Sequence, residues 1–176
     1  MWRYGAGMTD QQRTLVLLRH AKSDYPAGVA DHDRPLAPRG EREAGLAGDW
    51  LRSGAIPTIQ AVLCSSATRT RQTLARTGID APAQFLDRIY GATPGAIIGE
   101  INGVDDAVRS LLVVGHEPAM SQLALGLAAA DDSDPHAIEG IAAKYPTSAI
   151  AVLRVEGPWR GVELGTAALT AFHVPR

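Results

Sequence analysis

The run Ser110 to Val114 reads S-L-L-V-V, apolar at successive positions with no alternation. A strand of that composition is buried on both faces, which places it inside a parallel sheet with helices covering either side. Four further runs rich in β-forming aliphatic residues accompany it: Thr14 to Leu18, Ile59 to Leu63, Ala149 to Val155 and Ala167 to Val174. Helical patterns lie between them. Glu41 to Arg52 sets Leu46 against Trp50 and Ala47 against Leu51 at i,i+4, and Gly54 follows as a terminating residue. Ser66 is placed to cap a helix running to about Thr77. Pro118 suits the first turn of another, in which Met120, Leu123, Ala124 and Leu127 fall at i, i+3, i+4 and i+7. Strand and helix therefore alternate. Because parallel neighbours need crossover connections, the alternation predicts an α/β three-layer sandwich, a mostly parallel central sheet with helices on both faces. The last two strands are close enough in sequence to pair antiparallel. The Gly/Pro-rich stretches Pro26 to Gly40, Gly91 to Gly95 and Asp131 to Pro146 read as loops.

At about 150 residues per domain, a chain of 176 residues has room for one. Residues 1–13 carry no period and include a second methionine, Met8. They read as a flexible extension or a misassigned start, ahead of a folded domain over residues 14–176. Seventeen basic against nineteen acidic side chains leave a net charge of −2, which removes the footprint of a dedicated nucleic-acid binder. No apolar stretch has signal-peptide length, and the longest apolar and glycine run, Leu123 to Ala130, falls far short of the roughly 18 residues of a membrane span. A cytoplasmic protein without membrane partners is expected. The single cysteine, Cys64, excludes intrachain disulfides and thiolate metal clusters, and is expected to pack in the core.

In open α/β sheets ligands bind beyond the carboxyl ends of the strands. The first strand leads into Arg19-His20-Ala21-Lys22-Ser23, the second into Cys64-Ser65-Ser66-Ala67-Thr68-Arg69, and the third into Gly115-His116-Glu117-Pro118. Two histidines and two arginines would thus meet at one edge. Guanidinium forks, imidazoles and a helix amino terminus suit a tetrahedral dianion, and phosphate is the obvious candidate.

R-H-A-K-S, S-S-A-T-R-T-R-Q-T and V-V-G-H, each after a strand, resemble the motifs of the histidine phosphatase superfamily, the phosphoglycerate mutase-like phosphatases. The resemblance runs over roughly residues 14 to 174. The small size, the D-H-D-R-P-L-A-P-R-G segment at Asp31 to Gly40 and T-S-A-I-A at Thr147 to Ala151 are most similar to the SixA-type phosphohistidine phosphatases. The resemblance implies a metal-independent phosphohydrolase that needs no cofactor. His20 would be the nucleophile that is transiently phosphorylated, with Arg19, Arg69 and His116 holding the phosphoryl group. The substrate would be a protein phosphohistidine. The alternatives are a phosphomonoesterase for a small metabolite, or a phosphate- or phosphoprotein-binding module without turnover.

Other residues stay open between a role in the site and a structural one. Arg69 and Arg71 compete for one place, and the family spacing selects Arg69, leaving Arg71 as a solvated helix residue. Ser66 is a substrate contact or a helix cap rather than a nucleophile, since no base and orienting acid accompany it. Lys22 contacts a phosphate oxygen or is a solvated loop lysine. Glu117 is a candidate proton donor, against a helix-terminal carboxylate, which is preferred. His32 between Asp31 and Asp33 has no metal-ligand spacing and reads as surface loop, so no metal site is expected. Asp131, Asp132 and Asp134 likewise read as solvated.

Overall fold

In the computed structural model, described over residues 11–176, six strands form one sheet in the order β3-β2-β4-β1-β5-β6. β1 (Gln12–Arg19) and β4 (Ser110–Gly115) lie side by side in its middle and pair in parallel. Every residue of β4 is buried, as the unbroken apolar run requires. β2 (Ala61–Ser65) is parallel to β4 on one side and to β3 (Ala83–Leu86) on the other. β5 (Ile150–Glu156) runs antiparallel to β1, and β6 (Ala167–His173) antiparallel to β5. The expected α/β sandwich and the antiparallel final pair are both present.

Side chains alternate across the strands, so each strand feeds two cores. Val16 and Leu18 of β1 join Val62, Cys64, Leu112 and Val114 under α1 (Pro38–Leu51) and α2 (Thr68–Thr77). Leu15 and Leu17 join Leu63, Leu111, Val113 and Leu153 under α3 (Pro94–Asn102), α4 (Ala119–Leu127) and α5 (Pro135–Ala143). Truncating any of these fully buried leucines to alanine would cost about 2–5 kcal/mol.

Several local expectations are corrected. β3 was not expected, because A-Q-F-L is short, edge-placed and only partly buried. α5 occupies part of the segment read as the loop Asp131 to Pro146; Asp134 caps it by accepting from the His136 N–H, and Pro135 opens its first turn. The buried stripe of α1 is Gly40, Glu43, Ala44, Ala47, Gly48 and Leu51, which leaves Leu46 exposed rather than packed. Glycine is required twice in that helix by close approach. A Cβ at Gly48 would collide with the Thr77 carbonyl of α2, and one at Gly40 with the Lys22 carbonyl. The second contact seats the segment that follows β1 against the start of α1.

The expected boundary at residue 14 falls inside β1. Arg13 is buried and donates to the carbonyls of Gly157 at 2.7 Å and Asp106 at 2.9 Å, which ties the start of the strand into the domain. The expectation of a flexible extension otherwise falls on residues 1–10, outside the described residues. Among the described residues no helix is long and apolar enough to cross a membrane.

Candidate active site

The strand register assembles the site. Leu18 is level with Val114, and Cys64 with the same Val114, so the residues that follow β1, β4 and β2 emerge together at one edge. His20 comes first. Its N–H donates to the Gly115 carbonyl at 2.9 Å, extending the β1–β4 ladder by one step. Its Nδ1 lies 2.7 Å from the Ala21 carbonyl. A carbonyl only accepts, so Nδ1 carries the proton and Nε2 keeps a free lone pair. The ring is buried, and burial pushes its pKa down to about 3, with His116, Arg69 and Arg19 adding in the same direction and the Ala21 carbonyl opposing. His20 is therefore neutral at any pH near 7. The Ala21 N–H donates to Thr73 Oγ1 at 2.9 Å, and that hydroxyl donates to the Arg69 carbonyl at 2.7 Å, which fastens the loop to α2.

The His116 ring lies 5.2 Å from that of His20, centroid to centroid. Its Nε2 is 2.8 Å from Ser65 Oγ, and its Nδ1 is buried with no partner. Burial, then Arg69, bring its pKa down to about 4; Arg19 and His32 add to the fall, and Asp31 opposes it. Arg19 donates through Nη1 to the Tyr145 carbonyl at 2.8 Å, and Tyr145 in turn donates to the Leu17 carbonyl at 2.7 Å. Arg69 donates through Nη1 to the Asp31 carbonyl at 2.7 Å and through Nη2 to Asp31 Oδ2 at 3.1 Å. The Nε of each arginine is buried and unpartnered.

An unpaired buried donor costs about 1–3 kcal/mol, so proteins rarely leave several together without reason. Here Arg19 Nε, Arg69 Nε and His116 Nδ1 all belong to the cluster around His20. Ser148 adds a fourth orphan. It holds φ at 67°, shares its N–H between the Arg19 and His20 carbonyls at 3.2 Å each, and buries a hydroxyl that meets no partner. Two fixed cations, a neutral nucleophilic nitrogen and unpaired polar groups suit an oxyanion whose charge spreads over several oxygens. A groove of about 680 Å³ lies elsewhere, between α3 and the β2–β3 edge, and its lining holds no histidine and only one arginine, Arg88.

Around this floor runs a rim that sequence reasoning largely missed. Asp31 accepts from Tyr90 at 2.5 Å and from Arg34 Nε at 3.0 Å besides Arg69. Those bonds, Tyr90 first, hold its carboxyl well below the usual carboxylate range. Asp31 is thus no idle surface residue. His32 Nε2 lies 2.9 Å from Ser66 Oγ, which donates to Asp87 at 2.5 Å. The expectation of Ser66 as a helix cap is therefore corrected: Ala67 holds the N-cap position of α2, and the Ser66 hydroxyl belongs to the rim. Tyr90 stands edge-on to both His32, at 4.8 Å, and His116, at 5.6 Å.

The remaining candidates make no hydrogen bond to His20, His116, Arg19 or Arg69, though the Glu117 charge acts on Arg19. Arg71 is exposed, donates to the Ser66 carbonyl at 2.8 Å and lies over Phe85. The Lys22 ammonium sits 5.5 Å from the centroid of the Tyr25 ring. Both Glu117 oxygens accept from Ser121, one from its N–H at 2.7 Å and one from its hydroxyl at 2.8 Å, which is the arrangement of a carboxylate serving the start of α4. Cys64 is fully buried in the core, where desolvation pushes its thiol up to about 12.

The chain is similar to several known proteins. Residues 15–90 match the model of the histidine phosphatase superfamily (branch 1). An uncharacterized protein of Mycobacterium tuberculosis is 64% identical over 159 residues, which cover 90% of this chain and all of that protein. The chain also superposes on a protein of Nakamurella multipartitia proposed to be the phosphohistidine phosphatase SixA, with a TM-score of 0.84 and 38% identity over 93% of this chain and 96% of that one. A counterpart from Agrobacterium tumefaciens, proposed to have the same activity, gives 0.76 and 26% over 93% and 99%.

Proposed function

Since the chain belongs to the histidine phosphatase superfamily and is a phosphatase of its SixA type, we propose that it works through a phosphohistidine at His20 and that its substrate is a protein phosphohistidine. The observation that carries the reading is the tautomer of His20: Nδ1–H is committed to the Ala21 carbonyl, so Nε2 keeps its lone pair, on a ring that sits among Arg19, Arg69 and His116 with their buried unpaired nitrogens.

In the first step Nε2 attacks phosphorus in line. The bond from phosphorus to the leaving nitrogen breaks, and the departing imidazole keeps the electron pair and takes a proton from solvent. The two guanidinium groups and His116 hold the equatorial oxygens as charge spreads over them. In the second step water attacks the phosphohistidine, the phosphorus–Nε2 bond breaks and inorganic phosphate leaves. The arginines provide the charge neutralisation that a metal gives other phosphatases, so no metal enters either step.

The engagement of Glu117 supports this substrate class. An alkoxide leaving group needs a proton from a positioned acid, whereas imidazole leaves well at neutral pH without one. Glu117, which follows the second histidine, has both oxygens engaged by Ser121. The rate should then depend steeply on leaving-group basicity. A side-by-side comparison of a phosphohistidine peptide, an aryl phosphate and an alkyl phosphate tests this, with the first two turning over readily and the third poorly. Glu117→Gln should change phosphohistidine cleavage little. Fast hydrolysis of an unactivated sugar phosphate, reduced roughly 10²–10⁴-fold in Glu117→Gln, would instead make the protein a metabolite phosphatase with Glu117 as its acid. Phosphate retained on the protein after a single turnover, with no release, would make it a binding module.

A further inference from the structure

We propose that Ser65 is a positioning residue of this site: its buried hydroxyl donates to Nε2 of His116 and so fixes the His116 proton on Nδ1, where it faces the phosphoryl group. The inference rests on the phosphatase reading for its consequence, though not for its geometry.

Ser65 ends β2, is completely buried and stands one residue before Ser66 of the rim. Its oxygen accepts the Ala67 N–H at 3.3 Å and lies 2.8 Å from His116 Nε2. A hydroxyl has a single proton to give. Among the described residues that proton finds no other acceptor than His116 Nε2, and leaving it unpaired in the core would cost as much as any buried orphan. The accounting closes in one way: Ala67 donates to Ser65, and Ser65 donates to His116. A nitrogen that accepts cannot carry its own proton, so the ring proton of neutral His116 sits on Nδ1.

The direction of Nδ1 follows from strand order. Ser65 belongs to β2, His116 follows β4 and His20 follows β1, and β4 lies between β2 and β1. The two nitrogens of an imidazole point to nearly opposite sides of the ring. With Nε2 turned to β2, Nδ1 turns toward His20, and it is the buried nitrogen without a partner.

The tautomer matters because His116 is neutral at working pH. The groups around it are His20, Arg19, Arg69, His32, Asp31 and Tyr90, and their balance with burial leaves its pKa near 4. A neutral imidazole offers either a donor or a lone pair at Nδ1. Presented to phosphoryl oxygens, the donor attracts and the lone pair repels.

Two measurements test the proposal in the full chain. Two-bond proton–nitrogen correlation spectra of the ¹⁵N-histidine-labelled protein report the tautomer directly. His116 should be of the Nδ1–H form in the native protein and shift toward Nε2–H in Ser65→Ala. A native His116 of the Nε2–H form overturns the proposal, and because it is read on the native protein, that result stands even if Ser65→Ala does not fold. In kinetics, Ser65→Ala should lower kcat/KM on an aryl phosphate by roughly 10–100-fold, below the loss expected for deleting a donor outright. The deficit relative to native should shrink as pH falls from 7 toward 4, where His116 begins to protonate and then donates from both nitrogens, whereas loss of packing alone would leave the ratio independent of pH. A pH-independent ratio overturns the proposal. If spectra give the Nδ1–H form and the native protein hydrolyses no phosphoryl substrate at all, the phosphatase reading fails while the tautomer assignment holds.

Discussion

The floor of the site and its rim are built from the same residue types under opposite rules. On the floor, Arg19, Arg69 and His116 each bury a nitrogen with no partner, and His20 keeps an unprotonated one. On the rim, Asp31 is gripped by Tyr90, Arg34 and Arg69, while Ser66 is bonded to His32 and Asp87. Polar groups left unpaired in a buried place are costly, and the cost is recovered when an anion arrives. Polar groups that satisfy one another are a scaffold. On the mechanism proposed above, the floor carries the chemistry and the rim orients it, and Arg69 is the residue that belongs to both.

The largest effect should come from the floor's centre. His20→Ala should reduce turnover to background while thermal unfolding changes little, since the side chain sits at a strand end and its backbone ladder is kept. Phosphorylated native enzyme trapped in a rapid quench should carry acid-labile label on His20. Acid-stable label on Ser66, or full activity in the variant, would remove the floor from the chemistry altogether.

Next in size is Arg69→Ala, expected to lower kcat/KM by about 10²–10³-fold through loss of transition-state donors. Arg71→Ala, two residues on, should stay within a fewfold of native. Its guanidinium lies over Phe85 and reaches the Ser66 carbonyl, away from the unpaired nitrogens. Equal losses from the two would mean that the arginine of the floor has been misidentified.

The floor was legible in the sequence because each of its parts is local. Arg19 and His20 directly follow an apolar run, as do Gly115 and His116, and a strand end exposes whatever comes next. The rim was not. Asp31 and Arg69 are 38 residues apart, and Tyr90 and Asp31 are 59 apart, so nothing in the D-H-D segment announces their bonds. Ser65 was passed over for a similar reason: its partner His116 is 51 residues away, and in S-S either serine could have faced the site. For α5 the signal was present and outweighed. Asp134-Pro135 is a helix start, with Ala137 and Ile141 on one face, but Asp131, Asp132 and Ser133 ahead of it read as loop. β3 gave no signal, since four residues at a half-exposed edge bury too little to demand an apolar pattern.

The smallest expected effect decides whether the rim is scaffold or machinery. Asp31 holds Arg69 by two bonds, one from the backbone carbonyl and one from the carboxylate. Asp31→Ala removes only the second, so the fork keeps one anchor and its approximate direction. Although the carboxylate's bonds to Arg69, Arg34 and Tyr90 all go, the backbone anchor of Arg69 stays, so the loss should be roughly tenfold or less in kcat/KM, well below that of Arg69→Ala. Tyr90→Phe, which removes a single bond to the same carboxylate, should cost less again. The direction of any change in binding is also informative. Asp31 neutralises part of the Arg69 charge, so removing it should let inorganic phosphate bind as tightly as before or tighter while kcat falls, because a stronger but less well aimed cation favours the ground state over the transition state. A loss equal to that of Arg69→Ala, with weaker phosphate binding, would show that Asp31 acts on the reacting group itself, and the division between a reactive floor and an orienting rim would not survive it.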